Sequence, residues 1–165
     1  MYLYPMQETE NPIAKQLAKN LRDVHFGGNW TFVNLKETLK DINRNMAVFK
    51  TGEQHSVAAL VYHIHYFIKT LNTVLEDNKL EGNDKLSFDH PAINSDEEWN
   101  EFLQKVWLAA TKCARLLEAF PDKKLNEDFI DKKYGTYYRN IAGIIEHTHY
   151  HLGQISALKT IIIRS

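Results

Sequence analysis

The run HTHYHLGQI, His147 to Ile155, holds three histidines within five residues, and two of them have a spacing that metal chemistry uses. His147 and His151 are four apart, so on a helix they lie on one face, one turn from each other, and both rings can turn to a shared ion. Histidine suits the role because a neutral imidazole offers a nitrogen lone pair to zinc, nickel, iron or manganese without bringing a charge with it. Two nitrogens do not make a centre, so a third donor has to come from elsewhere in the chain. The pattern is not HExxH: Glu146 precedes the histidines instead of lying between them, and no zincin-type base is supplied. Cys113 is the sole cysteine of the chain, which excludes a cysteine-rich structural zinc site.

The neighbourhood of the pair decides its geometry. In a strand, His147, His149 and His151 would all share one face. The apolar positions Ile141, Ile144, Thr148, Ile155, Leu158 and Ile162 instead recur at three and four on both sides, which predicts a helix. His149 then points nearly opposite to His147 and His151 and leaves the cluster.

Three further helices are predicted to position the site. The first opens at Asn11-Pro12, a capping residue followed by proline, carries Ile13, Leu17, Leu21 and Val24, and stops at Gly27-Gly28. A shorter helical stretch carries Leu35, Leu39, Ile42 and Met46. A second long helix runs from about Ser56 to Asp77 on a stripe of Leu60, Ile64, Phe67, Leu71 and Val74. Residues 78 to 94 are polar and rich in turn formers, a long connection for a bundle. Ser95-Asp96-Glu97-Glu98 is a capping box that starts the third helix, which ends before Pro121. Four long amphipathic helices without a convincing strand predict an all-α four-helix bundle with an additional short helix between helices 1 and 2, forming a single domain over residues 1–165.

Within that frame the third donor lies on an inward face. His63 continues the stripe of Leu60 and Phe67, whereas His65 groups with Val61 and Ile68. Either can face the core, and His63 is nearer the centre of the stripe. His55 starts the helix, His25 ends the first one, and His90 precedes Pro91 in the long connection. A lone histidine in such a pattern is ordinarily a hydrogen-bonded core or boundary residue. Two at one-turn spacing beside an inward third make metal binding a serious competitor. Gly153, inside a helix at a cost of about 1 kcal/mol relative to alanine, points to a close approach by another group, with a tolerated surface glycine as the alternative. Gln154, three residues after His151, is either a contact near the site or a plain boundary residue. Cys113 sits among Ala109, Ala110 and Leu117 and reads as an inert core thiol. The aromatic groups around Tyr62, Tyr66 and Phe67 and around Tyr134, Tyr137 and Tyr138 could line a pocket mouth or serve packing.

Composition narrows the partners. The chain has 165 residues with 20 basic and 21 acidic side chains, a formal net charge of -1. Nothing in that balance calls for a nucleic acid or an anionic membrane surface. No apolar run approaches a transmembrane length, and MYLYPMQETEN lacks the basic-then-apolar order of a secretory signal. With one cysteine and no disulfide framework, a cytoplasmic protein is expected.

GIIEHTHYHLGQISALK together with HSVAALVYHIHYFI resembles the DinB/YfiT-like superfamily of metal-dependent four-helix-bundle proteins. The likeness extends over nearly the whole chain, with WTFVNLKETL similar to the family's segment after helix 1. The resemblance implies a three-histidine site for a divalent metal, with His63 from the second helix and His147 and His151 from the fourth, and the all-imidazole ligand type makes zinc or nickel the expected ion. It also implies homodimers packed through helix faces and a small-molecule substrate. The superfamily includes transferases and isomerases that use a low-molecular-weight thiol, so a thiol-dependent transferase on small electrophilic molecules is the expected activity. A non-catalytic metal-binding bundle in small-molecule or protein interaction is the alternative.

Overall fold

The computed structural model describes residues 12–50 and 52–164. Its architecture is the all-α four-helix bundle expected from the periodicity. The four long helices are α1 (Ile13–Phe26), α4 (Val57–Asp77), α5 (Asp96–Glu118) and α6 (Tyr137–Arg164), and the short ones are α2 (Leu35–Leu39) and α3 (Arg44–Val48). Two short helices thus stand where one was predicted. Asn43 is the reason: its side chain accepts a bond from Met46 N at 3.0 Å, which starts a new helix after the break at Lys40–Ile42.

Local chemistry sets the ends of the long helices. Ser56 caps α4 through Ala59 N at 3.2 Å, and Ser95 caps α5 through Glu98 N at 3.2 Å. Glu98 departs from the reciprocal box, accepting from Asn94 N rather than from Ser95 N. The predicted cap of α1, Asn11, lies outside the described residues. Pro12 holds the N-cap position without a side-chain bond, and Asp122 takes over from a distance of more than a hundred residues. Its carboxylate accepts from Ile13 N at 2.7 Å and Ala14 N at 2.9 Å. A carboxylate at a helix N-terminus satisfies orphan donors and meets the positive end of the dipole.

Each long helix packs on two others, in the order α1, α5, α4, α6 around the bundle. Arg22 pairs with Glu118 and Phe26 meets Trp107, so α1 and α5 are antiparallel. Tyr62 meets Phe102, Asn72 bonds the Ala109 carbonyl and Glu76 pairs with Lys112, so α4 and α5 run parallel. The Tyr137 hydroxyl donates to Asn78 at the end of α4, which makes α6 antiparallel to α4. A parallel pair needs a connection that travels the length of the bundle, and residues 78–95 are that connection. Their length has a topological cause.

The core is apolar and continuous, with Leu21, Ile64, Ile68, Leu71, Trp99 and Ile155 among its fully buried members. The Trp99 indole N–H donates to the Ile42 carbonyl at 2.8 Å, tying the α2–α3 segment to α5. Among the described residues, no helix is long and apolar enough to cross a membrane.

Candidate metal centre

His63 projects from the second turn of α4, and His147 and His151 from the middle of α6, across the antiparallel α4–α6 seam. Their ligand nitrogens all lie within 4.8 Å of one another. His147 Nε2 is the hub, 3.0 Å from His63 Nε2 and 2.9 Å from His151 Nε2. The three rings are edge-to-face or tilted, with centroids 4.4 to 4.8 Å apart, so it is their nitrogen edges that converge.

Three such nitrogens cannot all be content without a cation. His151 Nδ1 lies 2.7 Å from Gln154 Oε1, and the Gln154 amide nitrogen donates to the Tyr150 hydroxyl. An amide oxygen only accepts, so Nδ1 of a neutral His151 carries the proton and Nε2 presents a bare lone pair. A proton on His147 Nε2 donates to His151 and leaves that nitrogen no lone pair for His63, whereas an unprotonated His147 Nε2 faces the bare lone pair of His151 at 2.9 Å. A shared ion relieves both. Two nitrogens bound at 2.0–2.1 Å, at the angles common in such sites, are about 3 Å apart, close to the spacings here.

Protonation favours the same state. Burial, followed by the charges of His151 and His63, pushes His147 down to about 4. Burial and then the charge of His151 push His63 down to about 4, against the opposing pull of the Ser87 carbonyl. Burial also lowers His151, opposed by its bond to Gln154. Neutral imidazoles are the ligating form, so at neutral pH no proton has to be displaced.

The supports of the three rings differ. Among the described residues no hydrogen bond of normal geometry reaches the buried His63 Nδ1, and the Ser87 carbonyl near the ring only opposes the lowering of its pKa. Its ring is held by stacking on Phe88 at 3.8 Å and by the edge of Phe67 at 5.0 Å. Phe88 comes from the long connection, and its other face stacks on His55 at 4.0 Å. A loop aromatic is therefore clamped between two imidazoles beside the cluster. Helical pattern alone did not reveal this partner, because Phe88 lies in a segment with no periodicity.

His65 leaves the site for α5, meeting the edge of Phe102. His149 bonds the Ile145 carbonyl and lies within electrostatic reach of His25 at the end of α1. His90 lies against Tyr62. Cys113 is fully buried, and burial pushes its thiol up to about 12. The close approach expected at Gly153 is not found: the residue is exposed, and among the described residues a Cβ there would meet nothing within 4 Å. Gln154 turns out to be a contact of the site.

A cavity of about 930 Å³ opens along the α4–α6 seam, with His147 in its wall. Phe67, Leu71, Phe129 and Ile144 give it an apolar floor, residues 80 and 82–85 of the long connection form one side, and Arg139 and Glu146 stand at its rim. The two aromatic groups divide over it. Tyr66, Phe67 and Tyr134 line it, while Tyr62 packs toward α5 and Tyr137 is buried. Its size is that of a small-molecule site. The chain matches no protein-family model, no curated protein and no solved structure with which it was compared.

Proposed function

We propose that this chain is a metal-dependent enzyme of the DinB/YfiT-like kind, a single domain holding one divalent ion, zinc or nickel, on His63, His147 and His151. The carrying observation is the convergence of three Nε2 atoms at the wall of a cavity large enough for a substrate. Among the described residues no carboxylate or thiol joins the three nitrogens. Asp122, a conceivable fourth donor, is engaged at the first turn of α1. Three protein ligands with free positions characterise catalytic centres more than structural ones. Bound there, a divalent ion lowers the pKa of a coordinated thiol or water toward neutrality.

The reaction that fits is transfer of a low-molecular-weight thiol to a small electrophile: the thiol S–H bond breaks, sulfur bonds to the electrophilic atom, and the displaced group leaves with the proton. The chain's own thiol does not compete, because Cys113 is buried and protonated. The apolar floor excludes water from the substrate, and the Gln154–His151 bond keeps the ligating nitrogen bare. The free thiol at Cys113 supports a cytoplasmic location. Exposed Ile161 and Ile163 on α6 support a homodimer.

The test is elemental analysis followed by assay. Wild-type protein is expected to carry one zinc or nickel per chain and His151→Ala essentially none. The loaded enzyme should consume a chromogenic electrophile only when a thiol such as glutathione or bacillithiol is supplied. Unchanged metal in the variant would overturn the site. Full metal content with no thiol-dependent turnover would leave the non-catalytic metal-binding bundle in its place.

A further inference from the structure

The cavity is polarised along α6. Glu146 and His147 stand at one end, Gly143 and Ile144 one turn away, and Arg139 and Asn140 a further turn on. His147 and Arg139 are eight residues apart, about 12 Å along the helix axis. Between them the lining is apolar, from Phe67 and Leu71 of α4 and Ile144 of α6.

Arg139 is held ready at its end. Its Nη1 donates to the Tyr134 carbonyl at 2.8 Å, which fixes the side chain at the rim. Among the described residues no carboxylate forms an ion pair with it. Lys85 also lines the cavity, next to Asp84, so that pair adds little net charge. Glu146 repels an anion from the His147 end, and Arg139 attracts one to the other. A guanidinium matches a carboxylate with two parallel N–H bonds.

Gly143 lies on the path between the ends. It is helical without a positive φ, and a Cβ built there meets nothing within 4 Å. Backbone strain therefore does not require glycine, and among the described residues no neighbour packs into the space. Any side chain at 143 would occupy the cavity itself.

We propose that this cavity binds amphiphilic carboxylates, with the carboxylate on Arg139, an apolar body of about 10 Å along Phe67 and Ile144, and the opposite end at His147. Gly143 sets the length that can be taken. Placing the reacting group at the His147 end rests on the metal-dependent reading above, whereas the preference for a carboxylate does not.

Octanoate, of suitable length, is the probe, titrated calorimetrically into the full chain in zinc-loaded and chelator-treated forms. One octanoate per chain is expected, with octanamide and butyrate about tenfold weaker or more. Arg139→Gln should erase the difference between octanoate and octanamide. Gly143→Phe should weaken octanoate about tenfold or more while helix content and zinc stoichiometry hold, and Gly143→Leu serves if the larger side chain disturbs folding. Absence of octanoate uptake, or affinity within twofold of wild type in the Arg139 and Gly143 variants, would overturn the proposal. His151→Ala separates the two readings. Octanoate uptake kept with zinc lost is expected. Zinc kept in that variant refutes the metal reading alone, and zinc bound normally by wild type without octanoate uptake refutes this one alone.

Discussion

Gln154 offers a sharp test of how the candidate centre is prepared. Its Oε1 lies 2.7 Å from His151 Nδ1, and its amide nitrogen is anchored on Tyr150 at 3.3 Å. Replacing it with alanine frees the imidazole to rotate and to place its proton on Nε2, the atom that has to ligate. Loss of such an outer partner weakens metal binding by about 10- to 100-fold, equivalent to roughly 1.4–2.7 kcal/mol. Gln154 is exposed, so the folded chain itself should change by no more than about 0.5 kcal/mol. Gln154→Glu should act in the opposite direction, because a carboxylate accepts the Nδ1 proton more strongly and makes Nε2 a better donor. Zinc affinity is measured by competition with a chromophoric chelator at neutral pH, with thermal melts of the metal-free proteins alongside. The expected order of affinity is Glu, then Gln, then Ala. Equal affinities for the alanine variant and wild type would refute the tautomer argument, even with the three ligands correctly identified.

Asp122→Ala removes both bonds to the first turn of α1 and should cost about 1–2 kcal/mol in urea unfolding; a loss below a few tenths would show that water replaces the carboxylate. Gly143→Ala relieves the entropy cost of a helical glycine in open space and should stabilise by up to about 1 kcal/mol, seen as a melting temperature raised by a few degrees. The pH dependence of the metal-free protein should be one-sided. His25, held down to about 4 by burial against a weaker opposing bond to the Leu21 carbonyl, stays neutral in the folded chain while the unfolded chain takes up a proton below pH 6.5. Stability is therefore full above pH 6.5 and lost as pH falls from 6.5 to 4, by about 3 kcal/mol from His25 alone. His65, also lowered to about 4, adds to the loss, and urea midpoints that stay level from pH 7 to 4 would contradict the assignment.

Much of the candidate site was legible because helical phase is a local property. The four-residue step from His147 to His151 and the removal of His149 to the opposite face need only the 3.6-residue repeat. His63 and His65 were harder to separate, since α4 is apolar on both shoulders and buries both residues. Which shoulder meets the histidine pair depends on the side of α4 that α6 covers, the other side being covered by α5. Phe88 was invisible for a different reason: its role depends on the path of a long loop, and loops carry no periodicity to read. Gly153 misled because a helical glycine signals either close packing or plain tolerance, and sequence does not distinguish them. At Gly143 the same ambiguity resolves toward an open cavity.

The amino-acid sequence by itself determined the helices, most of their caps, the absence of a thiolate site and the one-turn histidine pair. Each of these follows from interactions within a few residues, such as Ser56 with Ala59 N or His147 above His151. The tertiary structure decided that α4 and α5 run parallel, that the connection between them passes along the α4–α6 seam, and that Asp122 caps α1 across the chain. It also decided that His63, 84 residues before His147, completes the nitrogen cluster. Those outcomes depend on which apolar faces bury one another, an energy summed over the whole core that no local pattern contains.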